Sequence, residues 1–389
     1  MVEVPAGQCD WPDRAIATVL QKSLWIRGAG KDKTRIRRGF YINDSNTSEF
    51  DRALIGLFVF RCDAATRVRF SDLTLEGNGT EGTFSNEDGT FPHIVASDYG
   101  VKLFACRDFR IHDARFTRFG YAGVEVNSQS LTGSPQDTQG LIDHNEFIGN
   151  LRHGWGYGVD VNGVKNWPAP EYGSAHNVFI ESNYFEDNRH NVAAGYGARY
   201  VFRHNEQVTT LRASNWGMVD AHGRTSRAKD GNGQPKTRGT RSFEVYRNVF
   251  RMRGIPSGTP GMSATGPSIR GGDGVIFENV FDLGNRWTGG PHSGDPIGIY
   301  VTIESDYSDG TCLRSPVEYP TEDQTTDLYI WGNTDYQGKA NNNVSTGGDN
   351  WNRCDAFIKK DRDYHFGQRP GYQPFVYPHP LQKQAWPTP

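Results

Sequence analysis

A short pattern, a β-branched or aromatic run that ends in asparagine, recurs along most of this chain. Three of its copies are LIDHNEF at 141–147, VFIESNYF at 178–185 and YVFRHNEQV at 200–208. Six asparagines fall on one position when the copies are aligned: Asn145, Asn183, Asn205, Asn248, Asn279 and Asn333. A constant register predicts stacked coils in which each asparagine amide bonds to the next. We therefore interpret these asparagines as a structural ladder in a turn.

A second family of strands precedes these copies. Its members are YGVKLFA (99–105), AGVEVNS (122–128), YGVDVNG (157–163), HNVAAG (190–195), GMVDAHG (217–223), SIRGGD (268–273) and GIYVTI (298–303). Gly- and Pro-rich loops between the copies vary in length while the register stays constant. A propeller or sandwich would need hairpins, and few Asn-Gly turns separate the paired strands. The pattern predicts an all-β, parallel β-helix with loop insertions.

Composition supports short strands and turns over long helices, because the chain has 46 glycines and 12% aromatic residues. The formal net charge of −3 gives no field that would draw the protein to nucleic acid or membrane. No window approaches the roughly 18 apolar residues of a membrane span. We expect one domain, with an N-terminal cap region at 1–55 containing a short helix or turn, helical coils at 56–340 and a C-terminal strap at 341–389.

The five cysteines form no CxxC pair, which argues against a thiolate zinc site. Cys62 aligns with Cys106 in adjacent coils, so a disulfide or a buried thiol stack is expected there. Cys312 and Cys354 are candidates for pinning the strap. The first residues lack the regions of a signal peptide, which leaves a cytosolic protein or a mature form open. We expect a secreted or periplasmic protein.

Period-2 alternation places candidate site residues on one face of the second strand family. If the valines of each strand point inward, Glu125, Asp160, Asp220, His222 and Arg270 point outward together. His190 and Arg189 enter at the edge of a coil where Ala193 and Gly195 are expected to leave space.

Residues from about 55 to 340 resemble the right-handed parallel β-helix proteins of the pectate-lyase-like superfamily. The resemblance implies a right-handed, single-stranded β-helix and carbohydrate chemistry in a groove along the stack. That superfamily includes polysaccharide lyases, glycoside hydrolases, epimerases, esterases and phage tailspikes, so the fold does not choose among them.

Our first hypothesis is a lyase that cleaves a uronate-containing polysaccharide by β-elimination. Glu125, Asp160 and Asp220 would bind Ca²⁺, which neutralises the uronate and acidifies its C5 proton. An arginine base at Arg270 resembles the calcium-dependent lyases, and a histidine–tyrosine pair resembles the metal-independent ones. The basic segment 223–241 favours an anionic polymer as the partner.

The expected site residues are, as catalytic groups, His190, Asp220, His222, Arg270 and Asp160 and, as substrate-binding groups, Glu125, Arg189, Trp167, Tyr172, Tyr196, Arg224, Arg227 and Tyr300.

Two alternatives remain. An inverting glycoside hydrolase would use Asp160 and Asp220 as acid and base, because two coils separate their backbones by roughly 10 Å and inverting carboxyl groups lie ~6.5–9.5 Å apart. A non-catalytic glycan-binding or tailspike-like protein is the other. A monomer is expected for an enzyme, and a trimer for a tailspike.

Overall fold

The structure is a computed structural model of the chain. It describes residues 1–12, 17–39, 56–86, 89–95, 98–128, 138–152, 154–164, 166–210, 217–224, 229, 231, 233, 236–253, 266–283, 298–304, 319–346 and 357–386. None of the helices in these ranges is long and apolar enough to cross a membrane.

Three parallel sheets, each crossed once per coil, make up the described part of the chain, and they confirm the predicted right-handed, single-stranded parallel β-helix. The first sheet, which we call the strap sheet, consists of Val2–Glu3, Leu24–Arg27, Val68–Ser71, Arg107–His112, Gln139–Asp143, Val178–Glu181, Arg199–Arg203, Ser242–Tyr246, Asp273–Phe277, Leu328–Trp331 and Tyr364–Phe366.

The second sheet, which we call the open sheet, contains the second strand family. Its strands are Ala17–Leu20, Phe58–Arg61, Tyr99–Phe104, Ala122–Asn127, Tyr157–Asn162, His190–Gly195, Val219–Ala221, Pro267–Ile269, Ile299–Val301 and Val344–Ser345.

The third sheet closes each coil. Its strands are Gly7–Trp11, Thr34–Arg38, Thr74–Glu76, Arg115–Thr117, Glu146–Ile148, Tyr184–Glu186, Glu206–Thr209, Val249–Met252, Val280–Asp282 and Thr334–Asp335. An antiparallel hairpin, Thr80–Asn86 with Gly89–Val95, projects between coils.

The asparagine ladder lies where the strap sheet turns into the third sheet. The backbone N–H and the side-chain amide of Asn145 both donate to the Oδ1 of Asn183, at 2.9 and 3.0 Å. The same pair of bonds repeats along the stack to Asn333, which donates to Asn342. The residue before Asn145, His144, has a left-handed φ of 56°. Since that conformation is unfavourable for most side chains, the ladder helps to hold the turn.

Inward side chains of the three sheets form one continuous core. Phe116, Phe147 and Phe185 stack in successive coils with ring centroids 5.1 and 4.9 Å apart. Cys62 and Cys106 form a disulfide in this core, which confirms the first of the two expected arrangements. Cys312 and Cys354 lie outside the described residues.

The two ends of the chain differ from the expected division. Ala17–Leu20 is a strand of the open sheet rather than part of a helix or turn, so the 1–55 region already contributes to all three sheets. Tyr364–Phe366 is still a strand of the strap sheet. The segment that crosses the coils is 367–386, which we call the strap; it contains the 3-10 helix Pro380–Gln382.

Candidate functional site

The open sheet carries the expected row of outward side chains. Glu125 pairs in register with Lys102 and with Asp160, Asp160 with Ala193, and Ala193 with Asp220. Their neighbours in each strand, such as Val159, are fully buried in the core. The alternation predicted from the sequence is therefore present, with Asp160 and Asp220 two coils apart.

Arg270 lies two residues further along its strand than expected. Ser268 pairs with Asp220, which places Arg270 beside His222 rather than beside Asp220. The outward face is still the same, because a shift of two residues is one full period of the side-chain alternation. The longer reach of the arginine side chain brings it back to Asp220.

Four ionisable side chains form a cluster that we call the charge quartet: Asp220, His222, Arg270 and Glu304. Arg270 donates to both carboxylate oxygens of Asp220, at 2.9 and 2.5 Å, and to Oε1 of Glu304 at 2.6 Å. His222 bridges the same two acids, with Nε2 2.9 Å from Asp220 Oδ2 and Nδ1 3.2 Å from Glu304 Oε2. Two cations and two anions thus neutralise one another.

The ionisation of the quartet follows from these contacts. Burial opposes ionisation of Asp220, but Arg270, His222 and His190 together hold the pKa of its carboxyl well below the usual value. Burial and Arg270 oppose protonation of His222, and the two acids outweigh them, so the pKa of His222 is raised to about 9. At neutral pH His222 is an imidazolium held between carboxylates, which is a poor base.

His190 lies below the quartet and is 2% exposed. Its Nδ1 is 2.5 Å from the carbonyl oxygen of Gly217, to which it donates, and its Nε2 is 3.3 Å from Asp220 Oδ2. Burial lowers the pKa of His190 to about 3. It is therefore a neutral, enclosed imidazole that supports Asp220, and its reach to a substrate proton is blocked.

Asp160 differs from the other acids of the row. It is half-buried, and its carboxylate accepts a hydrogen bond from Asn162 at 3.0 Å. Burial and the neighbouring Glu125 raise its pKa from 3.8 to about 7. Near neutral pH this carboxyl holds its proton for a large part of the time, as a general acid must.

Glu125, the neighbour of Asp160, is buried and forms an ion pair with Lys102. Asp160 and Asp220 are separated by the Ala193 coil, so the three acids do not converge on one point. In the part of the chain that the structure describes, no group of three or more His, Cys, Asp or Glu side chains is placed to hold a metal ion. Calcium binding thus stays a prediction without an assembled ligand set.

The space expected above Ala193 is covered. Ala193 is 1% exposed and packs in an apolar cluster with Ala122, Tyr157 and Tyr99. Tyr157 thus contacts the coil between Asp160 and Asp220, and its ring centroid lies 5.5 Å from that of His190 on the same coil. Burial is the main cause of the raised pKa of its phenol, and both acids add to it. Asp220 itself is only 1% exposed.

The expected substrate-binding residues divide into two groups. Tyr196 and Tyr300 are half-buried at the open sheet, and Asp160 contributes to the raised pKa of Tyr196 after burial. The Trp167 ring centroid lies 4.1 Å from the Arg238 guanidinium, and the backbone N–H of Tyr196 donates to the carbonyl of the same arginine.

Tyr172 does not lie with them. It packs against the apolar cluster under the strap, 4.4 Å from the Arg369 guanidinium, on a different sheet. Its expected role at the groove is not supported, because the chain after Trp167 folds back over the strap sheet.

The basic segment 223–241 is largely neutralised in its described part. Arg224 and Arg238 both pair with Glu322, and Arg238 also pairs with Asp323 at 2.9 Å. Arg241 pairs with Asp273 at 3.3 Å. Arg227 lies outside the described residues. These contacts weaken the argument for an anionic polymer, since Arg224, Arg238 and Arg241 already have carboxylate partners.

Sequence reasoning missed Lys102, Tyr157 and Glu304. Lys102 occupies the Glu125 position in YGVKLFA, and extending the alternation past Tyr300 and Thr302 leads to Glu304. Both could have been found from the period alone. Tyr157 could not, because its approach to Ala193 depends on how the side chain packs.

The sheets define the class of this protein: it is a right-handed parallel β-helix with the pectate-lyase-like fold. No protein-family model matches the sequence, and no curated protein matches it.

Among solved structures, a mutant of DFA-IIIase from Arthrobacter chlorophenolicus A6 in complex with DFA-III is similar, with 12% identity, a TM-score of 0.47, and coverage of 94% of this chain and 81% of that one. The catalytic domain of a GH87 α-1,3-glucanase in complex with nigerose is also similar, with 13% identity, a TM-score of 0.40, and coverage of 86% and 48%. At this identity the likeness concerns the fold.

The prediction of a polysaccharide lyase is wrong. The similar structures named above are a DFA-IIIase and a glucanase, not lyases. Among the described residues, the expected bases are also not free for elimination. Arg270 is engaged by two carboxylates, His222 is held as an imidazolium, and His190 is enclosed.

Proposed function

We propose that this chain hydrolyses a glycosidic bond of a neutral carbohydrate on the open sheet. The observation that carries the proposal is Asp160: a half-buried carboxyl with a pKa near 7, hydrogen-bonded to Asn162 and two coils from the ionised Asp220. General acid catalysis at a glycosidic oxygen needs a carboxyl that is protonated near neutral pH.

In the proposed reaction Asp160 donates its proton to the leaving oxygen and Asp220 accepts a proton from the attacking water. The Asp160 and Asp220 backbones are roughly 10 Å apart, which suits an inverting reaction. Glu304 is unsuitable as the base, because it lies beyond the Tyr300 strand, four coils from Asp160. Asp220 is 1% exposed, so the water must enter beside Tyr157 when substrate binds.

Charge at the site favours a neutral substrate. Lys102, His222 and Arg270 supply three positive charges, and Glu125, Asp220 and Glu304 supply three negative ones. Arg270 in this arrangement is a positioning residue, since it orients Asp220 through two hydrogen bonds. Carbohydrate ligands named for the similar structures, GF2, DFA-III and nigerose, belong in the first substrate panel.

The test is to incubate the protein with neutral and acidic oligosaccharides and to measure new reducing ends together with the absorbance of unsaturated uronates. Reducing ends without that absorbance support hydrolysis. We expect Asp160→Asn to lower kcat by about 10²- to 10⁴-fold, the usual contribution of general acid catalysis. The matched control is Asp361→Asn, which removes an exposed carboxyl from the turn before the strap-sheet strand Tyr364–Phe366.

Product stereochemistry, followed by NMR, separates inversion from retention. Unchanged turnover in Asp160→Asn would overturn the assignment of the acid. Binding of carbohydrate without any cleavage would instead support the non-catalytic alternative.

A further inference from the structure

A tight turn beside Asp160 presents an exposed tryptophan. Trp155 is 42% exposed, and its backbone N–H donates to the Arg152 carbonyl at 3.2 Å. Gly154 and Gly156 have φ values of 79° and 94°. A Cβ at Gly156 would lie 2.3 Å from the Arg152 nitrogen, so only glycine fits there. The described residues 154–156 are thus closely constrained, and Trp155 among them exposes its indole.

Neighbouring coils hold this turn from both sides. The backbone N–H groups of Gly156 and Tyr157 donate to the Tyr121 carbonyl at 3.1 and 2.8 Å. On the other side, the Arg189 N–H donates to the Gly156 carbonyl at 2.8 Å. Within the same coil, the Tyr157 hydroxyl donates to the Gly154 carbonyl at 3.2 Å. A side chain mounted on such a turn loses little further freedom when it binds a ligand.

The indole also rests on other aromatic rings. Tyr121 meets Trp155 edge to face with centroids 4.8 Å apart, and Tyr99 stacks on Tyr121 at 5.1 Å. Tyr157 lies 6.2 Å from Trp155. The rings beneath are largely buried, so the indole is the part of the stack that solvent or a ligand can reach. We call Trp155 with its supporting rings Tyr121 and Tyr157 the aromatic platform.

One ring of the platform, Tyr157, belongs to the same strand as the proposed acid. Tyr157 and Asp160 are three residues apart in Tyr157–Asn162, a distance of roughly 10 Å along the strand. That separation exceeds one sugar ring. A ring on Trp155 would therefore lie beyond the two rings that the cleaved bond joins. Arg152 and Arg189 flank the turn, with the Arg152 guanidinium 5.0 Å from the Tyr121 ring centroid and Nη1 of Arg189 donating to the Gly154 carbonyl at 3.4 Å.

We propose that the aromatic platform is a carbohydrate subsite, in which a neutral sugar ring packs its C–H face on the Trp155 indole. The occupant is a sugar because a rigid, half-exposed aromatic face bordered by guanidinium donors matches a ring with one apolar face and a rim of hydroxyls. The proposal rests on the proposed function for its placement. It adds that the substrate is an oligomer extending beyond the cleaved bond.

The experiment measures binding in protein that carries Asp160→Asn, so that cleavage does not interfere. Neutral oligosaccharides of increasing length are titrated by calorimetry, with indole fluorescence as a second signal. We expect Trp155→Ala to weaken binding of the longer oligosaccharides about tenfold, equivalent to about 1.4 kcal/mol, and to leave binding of disaccharides unchanged. Trp155→Phe should restore part of the affinity.

The control is Tyr336→Ala, which removes a 63% exposed ring on a turn after the third sheet. The subsite would be overturned if Trp155→Ala and the Asp160→Asn parent bound oligosaccharides of every length equally well. It would also be overturned if the folded parent bound no oligosaccharide. The two proposals fail separately. Cleavage by the wild type with no effect of Trp155 removes only the platform, and length-dependent binding without cleavage removes only the hydrolase.

Discussion

The strap sheet and the open sheet are built from the same coils, yet their outer faces differ. On the strap sheet, the charged side chains Arg203 and Glu181 are 0% exposed, because the strap covers them and bonds to both. On the open sheet the charged side chains bond to one another and stay partly exposed at His222 and Arg270. Each coil therefore has one face that the strap covers, which serves the structure. Its other face is left accessible by the described chain and carries the candidate site.

The outer face of the strap sheet resembles a second core. Tyr246, Phe277 and Trp331 stack with centroids 4.5 and 4.3 Å apart, and Tyr372 of the strap meets Phe277 edge to face. Arg203 donates to the carbonyl oxygens of Phe375 and Val376 at 2.6 and 2.9 Å. Substitutions on this face should therefore act on stability, whereas those on the open face should act on activity.

The largest stability effect is expected for Arg203→Met. The substitution leaves Glu181 buried without its cation, a change that costs about 3–5 kcal/mol of unfolding free energy. Denaturant unfolding measures it. The double variant Arg203→Met with Glu181→Gln should recover part of the loss, and a single variant as stable as wild type would contradict the structural role of the strap face.

A smaller loss of unfolding free energy is expected for Tyr372→Phe, which removes the hydrogen bond from the phenol to the buried Glu244. A bond to a charged group contributes about 1.5–3 kcal/mol. Thermal unfolding would show it, with Tyr336→Phe as the exposed control. Catalytic turnover should not change, and a fall in kcat without a fall in stability would connect the two faces.

Asp160→Asn should have the opposite effect on stability. Since the pKa of Asp160 is raised from 3.8 to about 7 on folding, the folded protein binds more protons than the unfolded protein between those values. The free energy of unfolding of the wild type therefore falls as pH rises from about 4 to about 7, because the unfolded chain releases this proton first. Asparagine does not titrate, so the stability of the variant relative to the wild type should increase between these pH values.

Denaturant unfolding at several pH values measures this difference, and a constant difference would show that Asp160 titrates normally. The same pKa predicts that wild-type activity falls as pH rises above about 7, because the acid loses its proton.

The smallest effect is expected from salt. Because a neutral oligosaccharide carries no charge that the protein could attract, its kcat/KM should change by less than about twofold when screening increases from low to high ionic strength. A uronate oligomer of equal length is the comparison. A steep fall with salt, or preferential cleavage of the uronate, would restore the basic segment as an anionic clamp.

Much of the fold could be predicted from the repeat. The asparagine register and the alternation around Val159 led to the coils, the ladder and the outward row, since both depend on local backbone periods. The pairing of Cys62 with Cys106 followed from the same alignment. Arg270 was placed two residues off, because the short strand Pro267–Ile269 and its flanking glycines leave the register to the packing of adjacent coils.

The sequence by itself thus determined which residues face outward on each coil, because side-chain direction alternates within a strand. Only the tertiary structure decided how those residues are partnered and which of them hold a proton. Whether Asp220 is enclosed by Arg270 and His222, whether Asp160 keeps its proton and whether Tyr172 lies under the strap all depend on contacts between residues far apart in the chain. Burial and pairing of charges are properties of those contacts, and no local pattern encodes them.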